Sequence, residues 1–147
     1  MKADIRIKKL RENAIIPTYG SDCAAGADLY AAVDEAVEIA EGETKLIPTG
    51  LAFEIPDGYA GFIYARSGLA SKRGLAPANK VGVVDSDYRG EVMVALHNHG
   101  TVSQKIEKGE RIAQMVIAPY ITASFILSEE LDDTVRGEGG FGSTGRK

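Results

Sequence analysis

The sequence predicts a small all-β domain: a jelly-roll-like distorted barrel or sandwich, with one short helix and a flexible glycine-rich C-terminal arm. Three observations carry this expectation. Apolar residues recur at every second position in run after run, the alternation of strands with one face inside. Turn signals interrupt the runs at short, fairly even intervals, at Pro17–Gly20, Glu41-Gly42, Pro56–Gly58, His99-Gly100 and Lys108-Gly109, a spacing typical of sandwiches and barrels. No strand–helix–strand rhythm is present, which argues against a Rossmann-type parallel sheet.

In chain order, Ala3 to Lys9 alternates with Ile5 and Ile7 on one face, and the short basic run through Arg11 reads as a solvated edge. Val37 and Ile39 form the next alternation, followed by Leu51, Phe53 and Ile55. A brief helix is expected around Ser67 to Arg73, with Ser67 as its N-cap. Glu91 to Leu96 and Val102, Gln104, Ile106 read as two more strands, and the apolar run Ile112 to Tyr120 as a strand buried on both faces. The last sixteen residues change character: five of the seventeen glycines fall between Gly137 and Gly145. Glycine costs the most backbone entropy to order, so residues 1–131 are expected to form the core and 132–147 a mobile arm.

Bulk properties agree with one soluble domain. The 147 residues are 44% hydrophobic and 26% charged, enough apolar material for a single core. The net charge of −4 concentrates no basic face for a nucleic-acid backbone. The lone Cys23 allows no internal disulfide and suits a reducing compartment. The N-terminus lacks the apolar run of a signal peptide and no stretch has the length of a membrane span, so a cytoplasmic location without a membrane partner is expected.

Several segments could carry chemistry. Arg66-Ser67-Gly68 at a strand-to-helix junction offers a cation, a hydroxyl and exposed N–H groups, a combination that suits phosphate; a capped helix with a solvated arginine explains it equally. Gly82–Gly90 contains Asp85 after the apolar pair Val83-Val84, which places its carboxylate at the end of a buried segment and suits a general base. The same Asp85, Asp87 and Gly90 could simply shape a β-turn. Asp28 stands beside Gly26, and Gln114 lies within the apolar strand. In the arm, Arg136, Phe141, Ser143 and Thr144 could close over a base and a phosphate, or end the chain without a role. His97 and His99 share one face of a strand, but as the only histidines they fall short of a zinc ligand set and read as structural.

Taken together and in order, AGADL at 25–29, RSGLA at 66–70, GVVDSDYRGE at 82–91, GERIAQ at 109–114 and RGEGGFGSTG at 136–145 resemble the five motifs of the homotrimeric dUTPase family. The resemblance runs through nearly the whole chain from Ala25 onward. It implies hydrolysis of dUTP to dUMP and pyrophosphate, which limits uracil in DNA and supplies dUMP for thymidylate synthesis. Asp85 would activate water for attack on the α-phosphorus, and Asp28 would orient the metal–water region. Mg²⁺ would be held mainly by the substrate phosphates and solvent, with no direct protein ligand. Arg66, Ser67, Gly68 and Gln114 would contact phosphate. Asn79 and backbone groups near Val84 would read uracil, and the Tyr88 ring would lie under the deoxyribose and exclude a 2′-hydroxyl. Arg136, Phe141, Gly142, Ser143 and Thr144 would close the site, and a homotrimer would share its sites between subunits. The related dCTP deaminases carry a glutamate where this chain has Asp85, and a non-catalytic nucleotide sensor would be expected to lack the base, the tyrosine or the strap.

Overall fold

The computed structural model describes residues 3–140. It is all-β with one short helix, as the alternation predicts. The strands are β1 (Arg6–Lys9), β2 (Thr18–Tyr19), β3 (Ala27–Tyr30), β4 (Val37–Ile39), β5 (Thr44–Pro48), β6 (Leu51–Glu54), β7 (Tyr59–Tyr64), β8 (Leu75–Pro77), β9 (Gly82–Val84), β10 (Met93–Asn98), β11 (Gln104–Ile106) and β12 (Arg111–Pro119), and α1 (Ser67–Arg73) follows β7. Among the described residues they make four small antiparallel sheets and no closed barrel: β2-β3-β12-β7-β9, β5-β10-β8, β1-β6 and β4-β11.

Strand β12 is the spine of the largest sheet, pairing with β3 on one side and β7 on the other. Its first half is the most buried, at Ile112, Ala113 and Met115; from Val116 onward it is only half-buried, so burial on both faces holds for part of the predicted run. Strands β3, β5, β7, β8 and β9 are not marked by clean alternation. In β7 the pattern is interrupted by Gly61, which sits so close to its neighbours that an added Cβ would lie 3.1 Å from Ile55 Cδ1 and from Met115 Sδ. A glycine inside a strand often marks such a close approach. β1 is largely exposed and paired to β6 alone, the solvated edge expected of its basic composition.

The core is one cluster containing Leu29, Ile39, Ile47, Leu51, Leu75, Val94, Leu96, Ile106 and Ile112, all essentially inaccessible. Each such side chain contributes about 1.5–3 kcal/mol by leaving water. Asn98 is buried among them with its hydrogen-bonding capacity used: Nδ2 donates to the carbonyls of Ile39 (3.0 Å) and Val102 (2.8 Å), and Oδ1 accepts from the Gly100 N–H (2.9 Å). This central residue of the His-Asn-His run is the structural one. His97 Nδ1 bonds Thr44 Oγ1 at 2.8 Å, and the two imidazoles meet edge-on at 4.3 Å.

The helix departs from expectation at its start. Arg66, in extended conformation, occupies the N-cap position without a side-chain capping bond. Ser67 is the first helical residue, and its carbonyl accepts the Ser71 hydroxyl at 2.7 Å. The helix stops at Gly74, whose φ of 66° is left-handed, the conformation that most often ends a helix. Beyond β12 the described chain forms no further strand and runs exposed from Pro119 to Glu138.

Candidate active site

The sequence-predicted residues fall into two clefts with no lining residue in common. The first forms where three strands come into register. Gln114 of β12 pairs with Asp28 of β3 on one side and with Tyr64 of β7 on the other. Tyr64 ends β7, and Ala65 and Arg66 turn the chain into α1. This row therefore delivers Asp28, Gln114 and Arg66 to one place from positions far apart in sequence.

The contacts there are specific. Arg66 Nε donates to Asp28 Oδ1 at 2.7 Å and an Arg111 terminal N–H to Oδ2 at 3.3 Å. With its side chain only 13% exposed, Asp28 is a partly buried anchor that holds two guanidinium groups. Gln114 Nε2 donates to the Ala65 carbonyl at 2.9 Å and so braces the turn that carries Arg66. Gly26 leaves room for that amide: a Cβ there would lie 3.1 Å from Gln114 Cδ. Ser67, Gly68, Lys72 and Arg73 also line the cleft. Arg73 is spoken for, bonding Gln104, Glu110 and the Lys105 carbonyl. With Arg73 paired to Glu110, Arg66, Lys72 and Arg111 against Asp28 still leave the cleft an excess of cations, suited to an oxyanion.

Arg111, Lys72 and Arg73 were not singled out by the sequence. Arg111 is three residues from Gln114, which on a regular strand puts the two on opposite faces. A register shift between Arg111 and Ala113 changes that parity, as a bulge does.

The second cleft is built on β9, whose Gly82, Val83 and Val84 pair with Ile63, Phe62 and Gly61 of β7. Asn79, Val84, Asp85 and Tyr88 line it together with the apolar Leu46, Ile63 and Met93. Asp85 is exposed here, which corrects the expectation from its apolar neighbours: Val84 is buried and Asp85 is the first residue past the ladder. Tyr88 is half-exposed, and its hydroxyl donates to the Glu91 carbonyl at 3.0 Å. Gly90 lies directly beneath it: a Cβ there would fall 2.6 Å from Tyr88 Cζ, so a larger residue would displace the ring. Upstream, Asn79 precedes Lys80, the one non-glycine residue at positive φ (61°) among the described residues.

Asp85 stands apart from the cationic cleft along β7, although Ile63 of the second cleft adjoins Tyr64. Val84 pairs with Gly61, while Tyr64, at the cationic cleft, is three residues and thus about 10 Å further along the strand. Asp85 leaves β9 at the end remote from Tyr64. Arg136 is exposed, bonds the Gly139 carbonyl at 2.7 Å and lines neither cleft. Phe141, Gly142, Ser143 and Thr144 lie outside the described residues. Among the described residues no group of three carboxylate, histidine or cysteine side chains converges as a metal cage, and no helix is long and apolar enough to cross a membrane.

A small antiparallel fold with an arginine-lined cleft suited to an oxyanion, and a separate hairpin bearing a carboxylate and a tyrosine, defines an all-β protein without a Rossmann sheet. More narrowly, the chain belongs to the dUTPase family, whose model matches residues 12–145. It is 55% identical to the deoxyuridine 5′-triphosphate nucleotidohydrolase of Nautilia profundicola, over 97% of this chain and 99% of that protein. Among solved structures it resembles a dUTPase mutant of Staphylococcus bacteriophage 80alpha with dUpNHpp, at a TM-score of 0.89 and 31% identity, covering 98% of this chain and 99% of that one. A mutant dUTPase from S. aureus phage phi11, described as coordinating a structural Mg(II) ion, has a TM-score of 0.80 and 26% identity, over 89% of this chain and 100% of that one.

Proposed function

We propose that this chain hydrolyses dUTP to dUMP and pyrophosphate, with the cationic cleft taking the triphosphate and the 79–91 hairpin taking the nucleoside. The observation that carries the reading is the pairing of an Asp28-anchored guanidinium cluster with a hairpin that presents Asp85, Tyr88 and Asn79 in a chain of the dUTPase family. Hydrolysis at phosphorus demands positioning and charge neutralisation more than covalent chemistry. Arg66 and Arg111 supply charge from a fixed base, and Ser67 and Gly68 offer a hydroxyl and an approachable backbone. Asp85 accepts the proton of the attacking water. Its exposure suits a base that becomes enclosed only when the site is filled.

The donor set fits Mg²⁺ brought in by the substrate. Both Asp28 oxygens are engaged by arginines, and the described residues form no cage, so the phosphates and water would hold the ion with Asp28 nearby. When bound, the ion neutralises phosphate charge. Asn79 and the backbone near Val84 read the base, where a mismatched donor or acceptor costs roughly 1–3 kcal/mol. Tyr88 occupies the space a 2′-hydroxyl would need.

One chain holds its two clefts apart, which supports a site shared between copies in a homotrimer. The exposed apolar residues Ile121, Phe125, Ile126, Leu127, Leu131 and Val135 support a segment that leaves its own core for another copy. In this reading residues 1–131 hold the core and the segment that leaves it, and 132–147 form the arm that closes the site, with Arg136, Phe141, Gly142, Ser143 and Thr144 as its contacts. The reaction limits uracil in DNA and supplies dUMP, and the lone free cysteine supports a reducing, cytoplasmic location.

The test is a product assay with dUTP, dCTP, UTP and dTTP, with and without Mg²⁺. Magnesium-dependent release of dUMP and pyrophosphate from dUTP alone is expected. Conversion of dCTP would transfer the chain to the deaminase branch, and absence of any turnover would sink the enzymatic reading.

A further inference from the structure

We propose that Glu91 is a positioning residue for sugar selection, holding the Tyr88 ring in place from behind. This rests on reading the 79–91 hairpin as the nucleoside cleft. Glu91 is gripped at both its side chain and its backbone. Its carboxylate, 16% exposed, accepts the Gly50 N–H at 2.9 Å and Arg11 Nε at 3.0 Å, with an Arg11 terminal nitrogen on the other oxygen at 3.4 Å. Its carbonyl accepts the Tyr88 hydroxyl at 3.0 Å. The position of Glu91 therefore sets the far end of the tyrosine ring, while Gly90 sets the depth at which the ring lies.

The ground to which Glu91 is tied is rigid. Gly50 has a φ of 69°, and a Cβ there would fall 2.8 Å from that of Ala14 and 3.1 Å from that of Arg11. The Gly50 carbonyl accepts the Leu10 N–H at 2.8 Å. Beside it the buried Thr49 donates its hydroxyl to the Val92 carbonyl at 2.6 Å, and Val92 N–H returns to Leu51 at 2.9 Å. Arg11 is correspondingly held above its ordinary guanidinium value, first by its hydrogen bond to Glu91 and then by that charge. The tie thus runs from the core through Gly50 and Glu91, which itself lines the second cleft, to Tyr88. Charge-assisted bonds of this kind are the strong ones, and small displacements of a positioning group have large kinetic effects.

The experiment measures kcat and KM for dUTP and UTP in the full-length chain and in Glu91→Ala, Glu91→Gln, Arg11→Ala and Tyr88→Ala. The measurements are made at a temperature where melting curves show each variant folded. Glu91→Ala should raise KM for dUTP more than it lowers kcat, and should reduce the dUTP-over-UTP ratio of kcat/KM by about tenfold. Glu91→Gln keeps an acceptor for the Gly50 N–H and should lose less; Arg11→Ala should shift the ratio in the same direction. If Glu91→Ala is too unstable to assay, the glutamine and Arg11 variants carry the test. A lowered melting temperature with an unchanged ratio in the Glu91 and Arg11 variants, while Tyr88→Ala loses discrimination, would overturn the positioning role alone. An unchanged ratio in Tyr88→Ala would instead remove the nucleoside reading of the hairpin, and this proposal with it.

Discussion

Asp28 and Arg66, thirty-eight residues apart, meet through a 2.7 Å bond from Nε to Oδ1 at the point where β3, β12 and β7 come into register. The carboxylate thereby fixes the guanidinium across the sheet, while a second arginine occupies its other oxygen.

Asp28→Asn replaces that anion with a neutral amide and leaves Arg66 and Arg111 without their common anchor. The expected loss in kcat/KM for dUTP is about 2 kcal/mol, or about thirty-fold, the scale of a charge-assisted hydrogen bond. Steady-state kinetics checks it; a near-normal kcat/KM would mean that substrate alone aligns the arginines.

Asp85→Asn keeps the shape of the hairpin and removes the base. Turnover should fall by at least about a hundred-fold, while dUTP binding measured by calorimetry stays close to that of the unaltered chain. Turnover within a few-fold of normal would exclude Asp85 from proton transfer.

Ending the chain after Val135 should leave stability within about 0.5 kcal/mol, because the described residues from Arg136 to Glu138 are exposed and contribute nothing to the core. Activity should be almost abolished, since the proposed closing residues are gone. Denaturant melts and the product assay together decide: a fully active truncation would deny the arm its role.

Glu43 gives a pH dependence of known sign. Its Oε2 accepts the Ala40 N–H at 2.8 Å, and this bond, with help from Lys45, holds the carboxyl below the ordinary range. A carboxylate depressed in the folded state stabilises above its unfolded value and loses that contribution as pH falls through the folded one. The melting temperatures of the unaltered chain and Glu43→Gln should therefore differ slightly at neutral pH and converge on acidification; a constant gap would contradict the linkage.

Alternation and turn spacing made the class of fold legible, because half-buried antiparallel strands impress a period of two on the sequence. Several strands of the site escaped that signal. β7 carries Gly61 for close packing and β9 is three residues long, so neither displays enough alternation to be read. The candidate site residues were legible through motif order, yet the contacts they make were not. Gln114 braces the Ala65 carbonyl, and Asp28 serves two arginines. Arg111 was hidden by the irregularity between Arg111 and Ala113, since parity counted along a strand fails wherever a residue is inserted. The apolar pair before Asp85 implies a buried end for its carboxylate; the ladder ends one residue too early for that.

In the proposed trimer with shared sites, the separation of Asp85 from Arg66 along β7 changes what a damaging substitution would mean. A subunit lacking Arg66 still offers an intact hairpin, and one lacking Asp85 still offers an intact guanidinium cluster. Mixed together, two individually dead chains would assemble some whole centres between them. Loss of function in such a protein is then a property of the combination of subunits, and a defective copy can be masked by a neighbour with the opposite defect.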